Sequence, residues 1–282
     1  MIDSAMILIN GVETDQIAVN DRGFQYGDGL FETIEVVEAQ PVFLEQHLVR
    51  LRSGCLRLNI PRPNIQQITD EIYYVCKNSK QAVLKIIITR GAGGRGYRQP
   101  ETVHPTRVIS LHPFPEYPNA HSEQGIVARF CNARLGLNPA LAGIKHLNRL
   151  EQIMARSEWD DPAIQEGIML DINDHVIEGT MTNLFYVKDD IIYTASLQST
   201  GVAGVMRGII KQLLSENGCK LIEHEYGKED LLSADEVFVC NCIIGIWPVK
   251  QIEGVSFAVG KLSNQLQGWL AQLKEKAHSY AL

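Results

Sequence analysis

Five prolines between Pro100 and Pro118 interrupt this chain near its middle, at Pro100, Pro105, Pro113, Pro115 and Pro118. A proline fixes φ and lacks an amide donor, so the clustered prolines of 113–124 forbid both a helix interior and a central strand, whereas RVISL (107–111), ahead of them, predicts a strand. On either side the sequence runs in mixed strand and helix patterns. Residues 113–124 (PFPEYPNAHSEQ) therefore predict a connection between two folded units. With 282 residues, 45% of them hydrophobic, the chain holds enough apolar material for one large or two medium domains. The predicted fold class is α/β (α+β) with antiparallel-rich sheets. A smaller N-terminal domain is expected over 1–115, a linker over 116–121 and a larger C-terminal domain over 122–282.

Local patterns fill in the first unit. Asn10-Gly11 between short apolar runs is a hairpin signal, and residues 30–44 alternate around a turn near Glu38 to Pro41. The period then changes: Leu44, Leu48, Leu51, Cys55 and Leu58 recur at fours and threes, which predicts a helix that Pro61 and Pro63 end. A second helical stretch covers 64–79, and AVLKIIITR (82–90) predicts a buried strand. The second unit begins with the strand GIVARF and a helix through HLNRLEQIMARSEW, with Lys145 at its entrance. A meander of EGIMLDI, HVIEGTMTNLFYVK and IIYTA follows, turning at Asn173-Asp174 and Asp189-Asp190. An amphipathic helix over 207–217 stops at Gly218, EVFVCNCIIGIWPV forms a late strand region, and 261–276 closes as a helix.

A net charge of -7 argues against broad nucleic-acid binding, so an anionic ligand needs a local basic pocket. No apolar stretch approaches the roughly 20 residues of a membrane helix, and the start MIDSAMILINGVETD carries acid where an export signal carries base. A soluble, cytoplasmic protein with no membrane partner is expected. The six cysteines show no CxxC spacing, so neither a disulfide framework nor a metal site is signalled. Cys240 and Cys242 read as two strand residues facing the same way.

Several residues could carry chemistry. GAGGRG (91–96) satisfies GxGxxG after a strand, but Tyr97-Arg98-Gln99-Pro100 follows where a dinucleotide fold needs a helix. What remains is a flexible glycine loop presenting Arg95 and Tyr97, either a surface turn or a binding lip. In GVAGVMRGIIKQLL (201–214) a small-residue loop runs into a helix whose free N–H groups near Gly204 to Arg207 suit a phosphate, although most such helix starts bind nothing. His47, Arg50, Gly54 and Arg57 form a helical stripe, either a solvated face or an anion site, with Gly54 leaving open space beside Arg50. Lys145, behind the apolar Ala140 to Ile144 stretch, is either a partly desolvated nucleophile or base, or an ordinary solvated lysine. Glu178, amid apolar strand residues, either faces water or needs a buried partner.

Five segments occur in a fixed order: RGFQYGDGLFETI (22–34), HLVRL (47–51), AGIKHLNRLEQ (142–152), VIEGTMTNLF (176–185) and GVAGVMR (201–207). Together they resemble the fold-type IV pyridoxal-phosphate enzymes, with the two-domain architecture of D-amino-acid aminotransferases. That family includes branched-chain and D-amino-acid aminotransferases and the aminodeoxychorismate lyases. GIKHLNRLEQ with TRGAGGRGY (89–97) is most similar to the lyase branch. The resemblance implies a pyridoxal 5'-phosphate-dependent lyase converting 4-amino-4-deoxychorismate to 4-aminobenzoate and pyruvate in folate biosynthesis.

Carried over by motif, the resemblance makes Lys145 the lysine that bears the cofactor and acts as base. Glu178 becomes the partner of the pyridine nitrogen, and Arg50 with the backbone of Val205 and Met206 the phosphate site. Asn241 and Cys242 stand where aminotransferases place a glycine-threonine pair, so a phosphate hydroxyl contact is missing there. Leu150 replaces the tyrosine that branched-chain enzymes carry five residues after the lysine. Substrate is expected at Tyr26, Phe31, Lys85, Arg95 and Tyr97, with Arg90 either contributing or only ending its strand. Thr33, a glycine position in branched-chain enzymes, is expected to orient the leaving group or relay a proton. The resemblance also implies a homodimer with the cofactor in the cleft between the domains. An aminotransferase of the same fold is the alternative reading, and a non-enzymatic phosphate- or nucleotide-binding protein using loops 201–207 and 91–96 is a third.

Overall fold

The computed structural model describes residues 6–279, and within it the chain forms two compact units. The first runs to Pro115 and takes in Ile144–Asn148; the second comprises Glu116–Gly143 and Arg149–Lys276.

In the first unit β1 (Ile7–Ile9) and β2 (Val12–Glu13) form the hairpin that Asn10-Gly11 predicts, both turn residues having positive φ. A short helix α1 (Arg22–Tyr26), capped by Asp21, leads into β3 (Gly29–Val37), which turns through Glu38 and Ala39 into β4 (Gln40–Pro41). Helices α2 (Leu44–Arg57) and α3 (Ile65–Cys76) follow, then β5 (Gln81–Thr89) and β6 (Thr106–Pro113). The six strands pair antiparallel in the order β2-β1-β6-β5-β3-β4. Leu30, Ile34, Val36, Leu84, Ile86, Ile88 and Ile109 pack with Leu48, Leu51, Cys55, Ile68 and Ile72 of the helices. The strand residues between them point to the other face, because side chains alternate along a strand. On that face Thr33 pairs with Lys85, and Lys85 with Ser110.

Three expectations change in this unit. Lys145 is not at the entrance of a helix: its carbonyl accepts from Phe31 N at 3.0 Å, and Leu147 N donates to Gly29 O at 3.0 Å. Residues 144–148 thus lie along the start of β3, on the edge that β4 leaves uncovered, and their backbone groups are unavailable to a helix. That places the lysine in the first unit and not in the C-terminal domain. Gly54 does not leave space beside Arg50, since a Cβ there would come within 3.0 Å of both Leu30 methyls; glycine permits close helix–sheet packing.

The second unit opens with α4 (Ala120–Glu123), a single turn inside the segment expected to be a plain connection. Next come β7 (Ile126–Leu135), α5 (Leu150–Arg156), β8 (Glu166–Asp171), β9 (Val176–Gly179), β10 (Asn183–Lys188) and β11 (Ile191–Ala195). The chain continues as α6 (Val205–Glu216), β12 (Leu221–His224), α7 (Lys228–Leu232), β13 (Glu236–Asn241), β14 (Gly245–Ile252), β15 (Val255–Ser256) and α8 (Lys261–Ser279). Its strands run β12-β11-β10-β13-β14-β7-β8-β9, and pairing of Glu178 with Asn183 joins β9 back to β10, closing a circuit of six strands. Ile126, Phe130, Ile168, Leu184, Val239, Trp247 and Val249 belong to its core.

The run 176–188 is two strands, not one. Buried Glu166 accepts hydrogen bonds from Thr180 N, Thr180 Oγ1 and Thr182 Oγ1, which pull residues 180–182 out of the ladder. Cys240 lies in β13, but Cys242 follows the strand's end, so the two do not share a face of one strand. No helix of the described residues is long and apolar enough to cross a membrane, and no group of three or more His, Cys, Asp or Glu among them could hold a metal ion.

Candidate active site

In the first unit the Lys145 Nζ stands 4.2 Å from the centroid of the Phe31 ring, and Lys85 Nζ stands 5.6 Å from the same centroid. An aromatic face attracts an ammonium group, so Phe31 collects both amines in one place. Thr33 is two residues along β3 from Phe31 and directly across from Lys85. Ser110, the next residue in this cross-strand row, shares a 2.8 Å hydrogen bond with His112 Nε2. Burial first, and then the charge of Lys85, push His112 below its ordinary pKa. The sequence gives no sign of Ser110 and His112, because their placement depends on the β5–β6 register.

Arg50 joins this unit's second polar cluster. Glu32, 1% exposed, accepts from Arg50 Nε at 2.8 Å and from Arg50 Nη2, while His47 Nδ1 lies 2.6 Å from Glu32 Oε2. Burial pushes the Glu32 carboxyl upward, but the hydrogen bonds from His47 and Arg50, reinforced by their charges, outweigh it and hold its pKa below the ordinary value. Arg50 is therefore oriented by a carboxylate from the sheet, and the stripe His47–Arg50 is not a solvated face.

The glycine loop connects two antiparallel strands and opens no helix, which removes the dinucleotide reading. Arg95 is exposed, and Tyr97 is 87% exposed. Tyr26 Oη accepts from Gly96 N at 3.4 Å, and the Tyr26 and Tyr97 rings meet edge to face at 5.6 Å. Arg90 is structural: its guanidinium donates to both Asp28 carboxylate oxygens and to the carbonyls of Leu58 and Asn59.

In the second unit Glu178 is buried at 4% exposure on β9, where Oε2 accepts from Val202 N at 2.8 Å and from Asn183 Nδ2 at 3.4 Å. Asn183 also donates to Val202 O and accepts from Gly204 N, tying the carboxylate to the loop before α6. Arg149 adds a cation: burial pushes its pKa down, against the charges of Glu178 and Glu151. Helix α6 starts at Val205, two residues before its expected start, with no side chain capping its first turn. Its leading N–H groups, including those of Val205 and Met206, thus form the positive end of the helix dipole. Gly201, at φ +84°, and Gly204 shape the approach; a Cβ on Gly204 would fall 2.1 Å from Asn183 Oδ1. The Asn241 side chain is engaged in its own turn, accepting from Ile243 N and Ile244 N and donating to Met181 O. Cys242 follows it in that turn.

Residues 29–252 match the family model for amino-transferase class IV. The chain is 38% identical to the aminodeoxychorismate lyase of Vibrio harveyi over 267 residues, covering 93% of this chain and 98% of that one. It resembles the crystal structure of 4-amino-4-deoxychorismate lyase from Pseudomonas aeruginosa with a TM-score of 0.91 and 42% identity, covering 94% of this chain and 98% of that one. The branched-chain amino acid aminotransferase of Escherichia coli aligns with a TM-score of 0.82 and 27% identity, over 95% of this chain and 94% of that one. With a family match spanning most of its length and near-complete coverage of these relatives, the chain belongs to the class IV aminotransferase family.

Proposed function

We propose that the chain is a pyridoxal 5'-phosphate-dependent lyase that converts 4-amino-4-deoxychorismate to 4-aminobenzoate and pyruvate, a step of folate biosynthesis. The observation that carries this reading is the 38% and 42% identity to two proteins of that name over almost the whole chain.

The residues present fit the cofactor's chemistry. A phosphate calls for amide donors at a helix start, which the uncapped first turn at Val205 and Met206 offers, and for a cation, the role that the family resemblance gives to Arg50. A protonated ring nitrogen calls for a buried carboxylate, and Glu178 is one. Asn241 and Cys242 belong to the cofactor set by resemblance alone. The aldehyde calls for an amine, and Lys145 is assigned that role.

When bound, the cofactor supplies an electron sink for the pair released as a C–H bond of the substrate breaks. Lys145 then acts through its amine, removing the proton from substrate C4. Glu178 holds the proton on the ring nitrogen. Thr33 orients the enolpyruvyl oxygen as the C–O bond breaks, or relays to the departing methylene carbon the proton that Lys145 took; that protonation completes pyruvate. The carbon ring becomes aromatic, and this makes the elimination downhill. Lys85, Arg95 and Tyr97 meet the substrate carboxylates, with Tyr26 and Phe31 lining the same face; a chain of net charge -7 needs such local cations. In this reading the working form is a cytoplasmic homodimer, and full activity from a species that sediments as a monomer would contradict the dimer.

The test is incubation with 4-amino-4-deoxychorismate in the absence of any 2-oxo acid. Equimolar pyruvate and 4-aminobenzoate are expected. Turnover that instead requires a 2-oxo acid and yields an amino acid would identify an aminotransferase, and a colourless protein without an aldehyde cofactor would identify a binding protein.

A further inference from the structure

We infer that Arg22 is a positioning residue that fixes the glycine loop 91–97 as a preformed lip for a substrate carboxylate. The inference rests on the proposed function for the lip's ligand, but its structural half stands on the loop alone. Arg22 opens α1, and its side chain is only 4% exposed. Its Nη1 donates to Gly96 O at 2.9 Å and its Nη2 to Tyr97 O at 3.3 Å, while Nε donates to Asp28 Oδ2 at 2.9 Å. One guanidinium thus joins a half-buried carboxylate to two consecutive carbonyls of a largely exposed loop. Its carbon lies 5.0 Å from the Tyr26 ring centroid, and Tyr26 is the ring that meets Tyr97.

The backbone of the loop is built around this side chain. Arg22 N donates to Gly91 O at 2.9 Å, and Gly93 N donates to Asn20 O at 3.1 Å. A Cβ on Gly93 would lie 2.7 Å from Arg22 Cδ, so glycine is needed for the loop to pass over the arginine stem. Gly91 has φ +86°, and a Cβ there would fall 1.8 Å from His104 O. The run GAGGRG is therefore a shaped loop, fixed by the close approaches at Gly91 and Gly93 and by the bonds from Arg22. Arg95 and Tyr97 project from it into solvent while its carbonyls are held from behind. Fixing the loop before binding removes the ordering entropy that a mobile lip would lose on contact with its ligand. Arg22 does not itself meet the substrate in this account; it acts through the positions of Arg95 and Tyr97.

The experiment compares the cofactor-loaded full-length protein with Arg22→Met and Arg22→Lys. Limited trypsin digestion, mapped by mass, reads cleavage after Arg95 and Arg98, which requires local opening of the loop. Steady-state kinetics with 4-amino-4-deoxychorismate read KM and kcat separately. Arg22→Met is expected to speed cleavage at these two sites and to raise KM about tenfold, in line with the loss of charge-assisted hydrogen bonds, with kcat and cofactor stoichiometry within about twofold. Arg22→Lys should fall between, because one ammonium keeps the charge beside Asp28 but cannot fork across both carbonyls. If the methionine variant does not fold, the lysine variant supplies both readouts. Unchanged cleavage in both variants would overturn the positioning role. Faster cleavage with unchanged KM, or a fall in kcat at unchanged KM, would overturn the lip. Absence of lyase turnover in the unaltered protein would count against the proposed function, while the cleavage rates would still decide whether Arg22 holds the loop.

Discussion

Glu32 shows how a single buried carboxylate sets the state of its neighbours. It receives both His47 and Arg50, so replacing it by Gln leaves Arg50 and His47 facing a neutral amide inside the protein. Loss of about 3 kcal/mol is expected, at the low end for a broken buried pair because Arg50 retains some exposure. Weaker retention of pyridoxal phosphate should accompany it, measured as cofactor released on dialysis. The pKa of Glu32 is depressed in the folded protein, so its contribution is fully present above the ordinary carboxylate pKa and lost as pH falls through the lower, folded value. Denaturant titrations at descending pH should therefore show a steeper acid loss for the unaltered protein than for Glu32→Gln; parallel curves would exclude this account. At this scale the sequence was partly legible. Lys145, Glu178 and the His47–Arg50 stripe each carry a bland reading beside the functional one by residue type and spacing, and the family resemblance is what selects them. Glu32 and Arg22 do not, because an ion pair between a strand and a helix, or an arginine reaching 74 residues along the chain to Gly96, leaves no local pattern.

Helix α6 and the strands behind it act as one element. Asn183 holds Glu178, Val202 and Gly204 together, so the carboxylate and the helix start share one short side chain. Gly204→Ala would put a methyl where Asn183 Oδ1 now lies, and that amide cannot retreat without releasing its partners. Destabilisation of about 1–3 kcal/mol is expected, the usual cost of overpacking, together with faster loss of cofactor. A variant with unaltered melting and cofactor affinity would show that α6 does not form the phosphate site. Elements were readable where local chemistry decided them: Asn10-Gly11, the Glu38-Ala39 turn and the step from period two to period 3.6 at Leu44 all lie where expected. They were misread where distant groups decided. The edge of β3 takes Lys145 out of a helix, and Glu166 breaks the strand at Thr180.

For the molecule as a whole, the proline cluster marks a change of unit, since the first compact unit's opening segment ends at Pro115. The return of Ile144–Asn148 to that unit was not legible, because it follows from strand pairing and not from composition. That return puts Lys145 beside Phe31 on the sheet that also carries Thr33 and Lys85. Borohydride reduction of the purified protein followed by peptide mapping decides whether this lysine bears the cofactor. Only a lysine joined to the cofactor aldehyde becomes a permanent link on reduction. The account predicts a yellow protein that bleaches, with the pyridoxyl mass on the peptide containing Lys145. A pyridoxyl mass on another lysine, or none on protein shown to be active, would contradict it.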